Sequence, residues 1–463
     1  MKKLTELKNI EKIHFVGIGG AGMSPLAKIL VELGYEVSGS DRENSNVIEN
    51  LKKMGATITL GGQKGENVRG KDAIVVSTAI PFDNPEVLAA KDLHITKLHR
   101  SDINAALVNE YKGIAVAGAH GKTTTTSMLG VALTAAGISP TVIVGGEVPD
   151  LGTNAVLGES EYLVSEADES DGSFLKLRPH IAVVTNVEDD HMDHYGTMEN
   201  IIKAFKEFIQ NVDKETGYAV LCFDNENLRN IAKNIDRKYI SYAIDHAADY
   251  QAKNITTSGK GIAFDVVHNG EELGHISLNI PGRHNVLDAM ACITVALSIG
   301  VPFDKISQGL ASFHGAKRRF QTKGRIGGVW IVDDYAHHPT EIAATLKAAK
   351  ETKPNRLICA FQPHRYSRTK LLHEEFARAF SSADLLILTD VYAAGEAPIE
   401  GISGETILNE VRRSTGQDVV YLPNREKIAG FLANEVKEGD LVITMGAGDI
   451  YKTGEELVEL LGK

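Results

Sequence analysis

At 463 residues the chain exceeds what one hydrophobic core ordinarily holds, so two or three domains are expected. Its 49 basic and 61 acidic residues leave a formal charge of −12, which argues against nucleic acid or an anionic membrane as the main partner but allows local basic pockets for phosphates. No apolar run approaches the ~18 residues of a membrane span, Met1 to Ile10 is charged and helix-like, and Cys222, Cys292 and Cys359 share no metal-ligand spacing, so a cytoplasmic protein with reduced core cysteines is expected.

In chain order, Lys12–Val16 predicts a strand that enters Gly17-Ile-Gly-Gly-Ala-Gly22, followed by a helix through Leu33 that stops at Gly34. The next strand, Glu36–Ser40, places Asp41 at its end, which completes a dinucleotide-type fingerprint. The glycines admit a diphosphate to the helix terminus, and the acid is spaced for a ribose hydroxyl. Further strands at Ala73–Ser77 and near Ile95 make the first hundred residues a small doubly wound domain. A short helix is expected from Asn104 and a polar turn to Lys112.

The stretch Ile114–Ala117 then runs into Gly118-Ala-His-Gly-Lys-Thr-Thr-Thr-Thr126. Strand, glycine turn and helix in this order form a phosphate loop: backbone N–H groups cradle oxygens, Lys122 reaches the β/γ-phosphates and the Thr123 hydroxyl can hold Mg²⁺. Val116 stands where the longer form of the motif has glycine. Strands expected at Thr141–Val144, Glu161–Ser165 and Ile181–Thr185 follow. The last two end in Glu166-Ala-Asp-Glu-Ser-Asp171 and Asn186-Val-Glu-Asp-Asp-His-Met-Asp193, acids and a histidine that a parallel sheet would turn toward the same crevice as Lys122. Mg²⁺ would offset their mutual repulsion.

From Gly217 to about Gly274 the pieces are short, hairpin-like and without a motif. Pro281-Gly-Arg-His-Asn285 precedes an apolar helix, with Asn285 placed as its N-cap. Ser312–Phe320 suggests a domain junction with exposed cations. Four more strands, Val329–Val332, Leu357–Phe361, Leu385–Leu388 and Leu441–Met445, place polar residues at their ends, among them Asp333–Pro339 with a helix from Thr340, and Arg365 and Arg368, cations suited to a carboxylate or phosphate.

The expected architecture is therefore α/β in three domains: residues 1–107, Rossmann-like; 108–317, a parallel sheet of the phosphate-loop ATPase type; and 318–463, a second Rossmann-like unit. Without a Ser-His-Asp set, a cysteine nucleophile or a zinc set, the chemistry that needs only positioning, Mg²⁺ and cations is phosphoryl transfer.

Gly17–Ser24, Gly118–Thr123, Glu166–Asp171, Pro281–Asn285, Asp333–Pro339 and Gln362–Arg368, six motifs in order over essentially the whole chain, resemble those of the Mur ligase family. The resemblance implies ATP-dependent amide ligation in cytoplasmic peptidoglycan synthesis. The Gly-Met-Ser that closes the first motif points to the branch that adds L-alanine to UDP-N-acetylmuramate through an acyl phosphate. It also implies roles. The loop Gly118, Ala119, His120, Gly121, Lys122, Thr123 and Thr124 would bind ATP; Thr123 and Glu166 would hold one Mg²⁺, and His191 would support a second. His284 and Asn285 would meet adenine, Arg319 the γ-phosphate and Asp334 the ribose, which makes Lys122, Glu166, His191 and Arg319 the catalytic set. Gly17, Gly19, Gly20, Ala21, Gly22, Met23, Ser24 and Asp41 would take the UDP-sugar, and His337, Arg365 and Arg368 the alanine and the muramoyl end. The expected partners are small molecules and the expected state a monomer or homodimer.

Where the family usually has Gly-His this chain has Gly62-Gln63, so no histidine contact is carried over there, and neither Lys203 nor Lys206 is assigned the carbamylated-lysine role of later-acting relatives. The nearest rival activity joins a preformed tripeptide to the same sugar nucleotide. An NAD-dependent oxidoreductase would account for the first glycine turn but not for the phosphate loop, and a nucleotide switch without ligation is a third reading.

Overall fold

A computed structural model describes residues 4–258 and 261–462. The start of the helix-like opening, residues 1–3, and the side chain of Asp193 lie outside what is described. By compactness the chain divides into one unit of Met1–Lys253, Asp265–Ile276 and Leu287–Phe313, and a second of Asn254–Phe264, Ser277–Val286 and His314–Lys463.

The first unit contains two sheets. One is five-stranded and parallel, from β1 (Lys12–Val16), β2 (Glu36–Asp41), β3 (Thr57–Leu60), β4 (Ala73–Val76) and β5 (Thr96–His99) in the order β3-β2-β1-β4-β5. Ile13, Phe15, Ile74 and Val75 are fully buried, as strands covered on both faces require. The second sheet runs through β6 (Lys112–Ala117), β7 (Thr141–Val148), β8 (Thr153–Val156), β9 (Tyr162–Glu166), β10 (Ile181–Val184), β11 (Tyr218–Cys222) and β12 (Tyr239–Ala243), ordered β12-β11-β10-β6-β9-β7-β8. Its pairs are parallel except β7 with β8. The motif-free stretch forms β11, β12 and three longer strands, β13 (Tyr250–Ser258), β14 (Gly261–His268) and β15 (Glu271–Leu278).

The second unit carries β16 (Gln321–Ile326), β17 (Val329–Asp334), β18 (Arg356–Phe361), β19 (Leu385–Leu388), β20 (Val419–Tyr421) and β21 (Asp440–Met445), ordered β16-β17-β21-β18-β19-β20 and parallel except for β16. Phe361, Phe376, Phe380 and Leu388 fill one side of its core, Ile331, Ile387 and Leu457 the other.

Four local expectations are corrected. The helix expected from Asn104 begins at Arg100, because His99 and Asp102 form a capping box, and Lys112 already belongs to β6. Asn285 is not an N-cap: the helix Arg283–Ser298 starts before it, and the buried Asn285 amide donates to Pro281 O at 2.6 Å. The helix expected from Thr340 starts at Pro339, capped by His338. Arg318 is not an exposed junction cation; it bonds Asp333 Oδ2 at 3.1 Å and Gly446 O at 2.5 Å between the rings of Tyr335 and Tyr451. Cys222, Cys292 and Cys359 are free and buried, as expected.

Candidate functional site

The buried strand β6 delivers the chain to Gly118 (φ +141°) and Gly121 (φ +83°), and the helix Lys122–Ala135 leaves from there. Both glycines are required twice over. Their φ values are strained for any side chain, and a Cβ would lie 2.0 Å from Thr185 Oγ1 at Gly118 and 2.4 Å from Asp288 Oδ1 at Gly121. The loop is tied to the residues after β10: His120 N donates to Asn186 Oδ1 at 3.0 Å, and His120 O accepts from Thr185 Oγ1 at 2.6 Å and Asn186 Nδ2 at 3.0 Å. Such a loop is preorganised before any anion arrives. The threonine run divides. Thr123 is half-buried, whereas the side chains of Thr124, Thr125 and Thr126 are packed away, so Thr124 has only its backbone N–H to offer a phosphate.

Lys122 Nζ folds onto its own loop, donating to Gly118 O at 2.5 Å, and bonds Glu169 Oε1 at 2.7 Å. Burial works against its charge, but Glu169, Asp168 and Glu166 more than offset that and push the ammonium's pKa up. Glu169 is one of the acids in the Glu166–Asp171 stretch that ends β9. Its side chain is 4% exposed, its Oε2 is buried without a hydrogen-bond partner among the described residues, and His191 Nε2 lies 3.5 Å from its Oε1. His191 sits at φ +56°, and its Nε2 is also 3.6 Å from Asp190 Oδ2; burial lowers its pKa, but Glu169 and Asp190 raise it overall.

Glu166, at the end of β9, accepts from Gly145 N at 2.8 Å. A Cβ at Gly145 would lie 3.1 Å from Glu166 Oε2 and one at Gly146 3.8 Å from Thr123 Cγ2, so β7 passes both oxygen-bearing side chains closely. Among the described residues no group of three or more His, Cys, Asp and Glu side chains is arranged to hold a metal ion by itself. Asp168 pairs with Arg100, a cation the sequence reading did not single out. Burial opposes the Asp168 charge, and Arg100 nevertheless holds its carboxyl far below the usual range. A Cβ at Gly22 would lie 3.2 Å from Arg100 Nη1, so this guanidinium also borders the glycine-rich turn. Its position just beyond β5 was the available signal.

In that turn Gly17 N and Ile18 N donate to Ser40 O at 2.9 and 3.0 Å. Asp41 is drawn into the turn itself, accepting from Gly19 N at 2.8 Å and Arg42 N at 2.8 Å. Gly20 and Ala21 are exposed and Gly17, Gly19 and Gly22 half-buried, but the Met23 and Ser24 side chains are buried, Ser24 Oγ accepting from Asn154.

The second unit brings its own predicted residues together around Glu341, which the sequence reading missed. Glu341 Oε1 lies 3.8 Å from Arg319 Nη1, and its Oε2 accepts from His337 N at 3.1 Å. Asp334 is buried and accepts from Phe320 N at 2.7 Å and Ala336 N at 2.8 Å; burial raises its pKa to about 6 against the pull of Arg319. His284 is pushed down to about 4 by burial and then by Arg319. The exposed Arg365 (φ +71°) caps the short helix Tyr366–Leu371, which carries the half-buried Arg368, beside His364, whose ring stacks on Tyr392. Burial, then His337 and the two arginines, lower the His364 pKa to about 3.

His284 has a pH signature. Its folded pKa lies below its ordinary 6.5, so the unfolded chain binds more protons between about 4 and 6.5 and stability rises with pH across that window. The melting-temperature advantage of wild type over His284→Gln is therefore expected to shrink as the pH falls from 7.5 to 5. An advantage that grows toward acid would contradict the assignment of a buried neutral imidazole.

A phosphate loop beside a buried Lys–Glu pair, on one of three largely parallel sheets, defines a nucleotide-using α/β protein of the phosphate-loop class. Three family profiles match in series: "Mur ligase family, catalytic domain" over residues 12–112, "Mur ligase middle domain" over 116–296 and "Mur ligase, glutamate ligase domain" over 318–448. The chain belongs to the Mur ligase family. It is 50% identical to a UDP-N-acetylmuramate–L-alanine ligase of Trichlorobacter lovleyi over 98% of this chain and 99% of the other. The solved UDP-N-acetylmuramate–alanine ligase of Thermotoga maritima matches with a TM-score of 0.82 at 29% identity, covering 97% of this chain and 98% of that one. A MurF ligase of Thermotoga maritima in complex with ADP shares the fold, with a TM-score of 0.63 at 21% identity over 92% of this chain and 94% of its own.

Proposed function

We infer that this chain is an ATP-dependent amide ligase that joins L-alanine to the carboxylate of UDP-N-acetylmuramate, yielding UDP-N-acetylmuramoyl-L-alanine, ADP and phosphate, the first amino-acid addition in cytoplasmic peptidoglycan synthesis. The observation that carries this reading is the full-length similarity to alanine-adding ligases, together with the convergence of Lys122, Glu166, Glu169 and His191 at the ends of β6, β9 and β10. No helix of the described residues is long and apolar enough to cross a membrane.

In this reading residues 1–107 take the UDP-sugar, 108–317 ATP with Mg²⁺ and 318–463 the amino acid together with part of ATP. The Thr123 hydroxyl and the Glu166 carboxylate are hard oxygen donors of the kind Mg²⁺ takes when phosphates supply the remainder, and the buried Glu169 Oε2, without a hydrogen-bond partner among the described residues, adds a third acceptor near Lys122. They fit the ion, which when bound would neutralise charge on the triphosphate; His191 would support a second ion through its place beside Glu169.

Lys122 keeps its proton and presents a fixed positive charge to the β/γ-phosphates, while the backbone N–H groups of Gly118 to Thr124 hold their oxygens. Arg319 serves the γ-phosphate, Asp334 the ribose, and His284, neutral at physiological pH, and Asn285 the adenine. The glycine turn with Asp41 receives the UDP end. Arg365, Arg368 and His337 gather the carboxylates of alanine and the muramoyl group. The muramoyl carboxylate oxygen then attacks the γ-phosphorus and ADP leaves. The alanine nitrogen, as the free amine, attacks the carbonyl carbon of the acyl phosphate; inorganic phosphate leaves with the C–O bond electrons, and the nitrogen gives up its extra proton to solvent to leave the amide.

Phosphate release with ATP and Mg²⁺ tests the reading, adding UDP-N-acetylmuramate and then L-alanine, glycine, D-glutamate or the tripeptide. Release that requires both the UDP-sugar and L-alanine is expected. Release only with tripeptide would move the activity to recycling, and release indifferent to the UDP-sugar would refute ligation.

A further inference from the structure

In the first unit, and away from the phosphate loop, a carboxylate is buried where an apolar residue would be cheaper. Glu86, in the helix Pro85–Asp92, is fully buried. Its Oε2 accepts from Ser40 Oγ on β2 at 2.7 Å, its Oε1 accepts from Asn67 Nδ2 at 2.6 Å, and the equally buried His14 Nε2 on β1 is 3.5 Å from Oε1. Burial opposes the Glu86 charge, but these three partners more than compensate and lower its pKa. A buried charge is costly unless paired, and pairing it seldom adds stability over an apolar core, so such a network calls for a reason beyond stability.

The network ends at the strand termini where the glycine turn lies. Asn67 Nδ2 also reaches Gly62 O at 3.3 Å, and Asn84 Nδ2 donates to Gln63 Oε1 at 2.6 Å, which leaves the Gln63 amide nitrogen as a donor. Gly65 packs on the same helix so closely that a Cβ would lie 2.9 Å from Ala89 Cβ. From the other side, Gly61 N donates to Asp41 O at 3.1 Å, and Asp41 Oδ2 accepts from Gly19 N. The loop after β3 is thus pinned between the buried carboxylate and the acid that braces the glycine turn.

We propose that Glu86 is a positioning residue for the sugar nucleotide: through Asn67 its carboxylate, alongside the helix-capping Asn84, fixes the Gly61–Asn67 loop so that Gly62 and Gln63 stand beside the glycine turn as part of the UDP-sugar site. The proposal rests on the reading that the first sheet receives the UDP-sugar. Glu86→Gln places an N–H₂ where an acceptor is needed, and Asn67→Ala cuts the link at a half-buried residue while leaving Ser40 and His14 on Glu86.

UDP-N-acetylmuramate binding is measured by calorimetry without ATP, and KM and kcat are measured for all three substrates. The expected result in both variants is a roughly tenfold weaker UDP-sugar affinity and a matching rise in its KM, the scale of one lost charge-assisted hydrogen bond. The KM for ATP and L-alanine and the kcat should stay within about twofold of wild type, a split that general destabilisation would not produce. Unchanged UDP-sugar affinity in Asn67→Ala, or an equal loss for every substrate, would overturn the proposal while leaving the ligase reading intact. Wild-type protein that fails to bind UDP-N-acetylmuramate would overturn both.

Discussion

Lys122→Ala is expected to keep the fold and lose ligation, with kcat down by roughly 10² to 10³ or more, the scale of one preorganised charge removed from a phosphoryl-transfer site. Two anions, a triphosphate and a carboxylate, must approach each other, and Lys122 is the cation seated in the phosphate loop, held at 2.7 Å from Glu169 and kept charged by its acidic neighbours. ATP-dependent phosphate release checks it, alongside a melting curve that shows a folded protein. Near-normal turnover in this variant would sink the assignment of the loop.

Glu169→Ala should injure both stability and rate. It removes the partner of a lysine that is largely shielded from water and takes away the oxygen beside His191. Leaving one charge of a buried pair alone costs about 3 kcal/mol where the pair is well shielded, and some of that is relieved here because Lys122 retains some solvent contact and the carbonyl of Gly118. A loss of about 2 kcal/mol in unfolding free energy, with kcat reduced by roughly 10², is therefore expected. The double variant with Lys122→Ala should be less destabilised than the sum of the two single changes, since each removes the other's reason for being paired. Strictly additive losses in the double variant would mean that the two side chains do not act as a pair.

Much of the candidate site was legible without coordinates because a phosphate-loop motif is written in contiguous residues. A strand, two glycines and a lysine at the start of a helix are contiguous, and the glycines at 118 and 121 do take the positive φ that the motif demands. Gly17–Gly22 is likewise contiguous and follows β1 directly, with Gly17 alone at positive φ. Acids at 166 to 171 could be assigned to a strand end, but not sorted. Which of these acids is buried against a cation depends on what faces it, and Lys122, Arg100 and His191 arrive from segments that follow other strands. Asp41 and Asp334, read from the sequence as ribose-side acids, also accept hydrogen bonds from backbone N–H groups, a second use of short carboxylates that spacing alone does not reveal.

The sequence by itself determined the parallel α/β character, the strand-loop-helix motif at Gly118–Lys122, the glycine-rich turn after β1 and the family, since each depends on residues that are neighbours along the chain. Only the tertiary structure decided which polar groups meet: Glu169 with Lys122, Arg100 with Asp168, Glu341 near Arg319, and Glu86 beside His14 and hydrogen-bonded by Asn67. The physical reason is that electrostatic energy falls with distance in space and rises as water is excluded, and neither quantity is written in the order of residues along the chain.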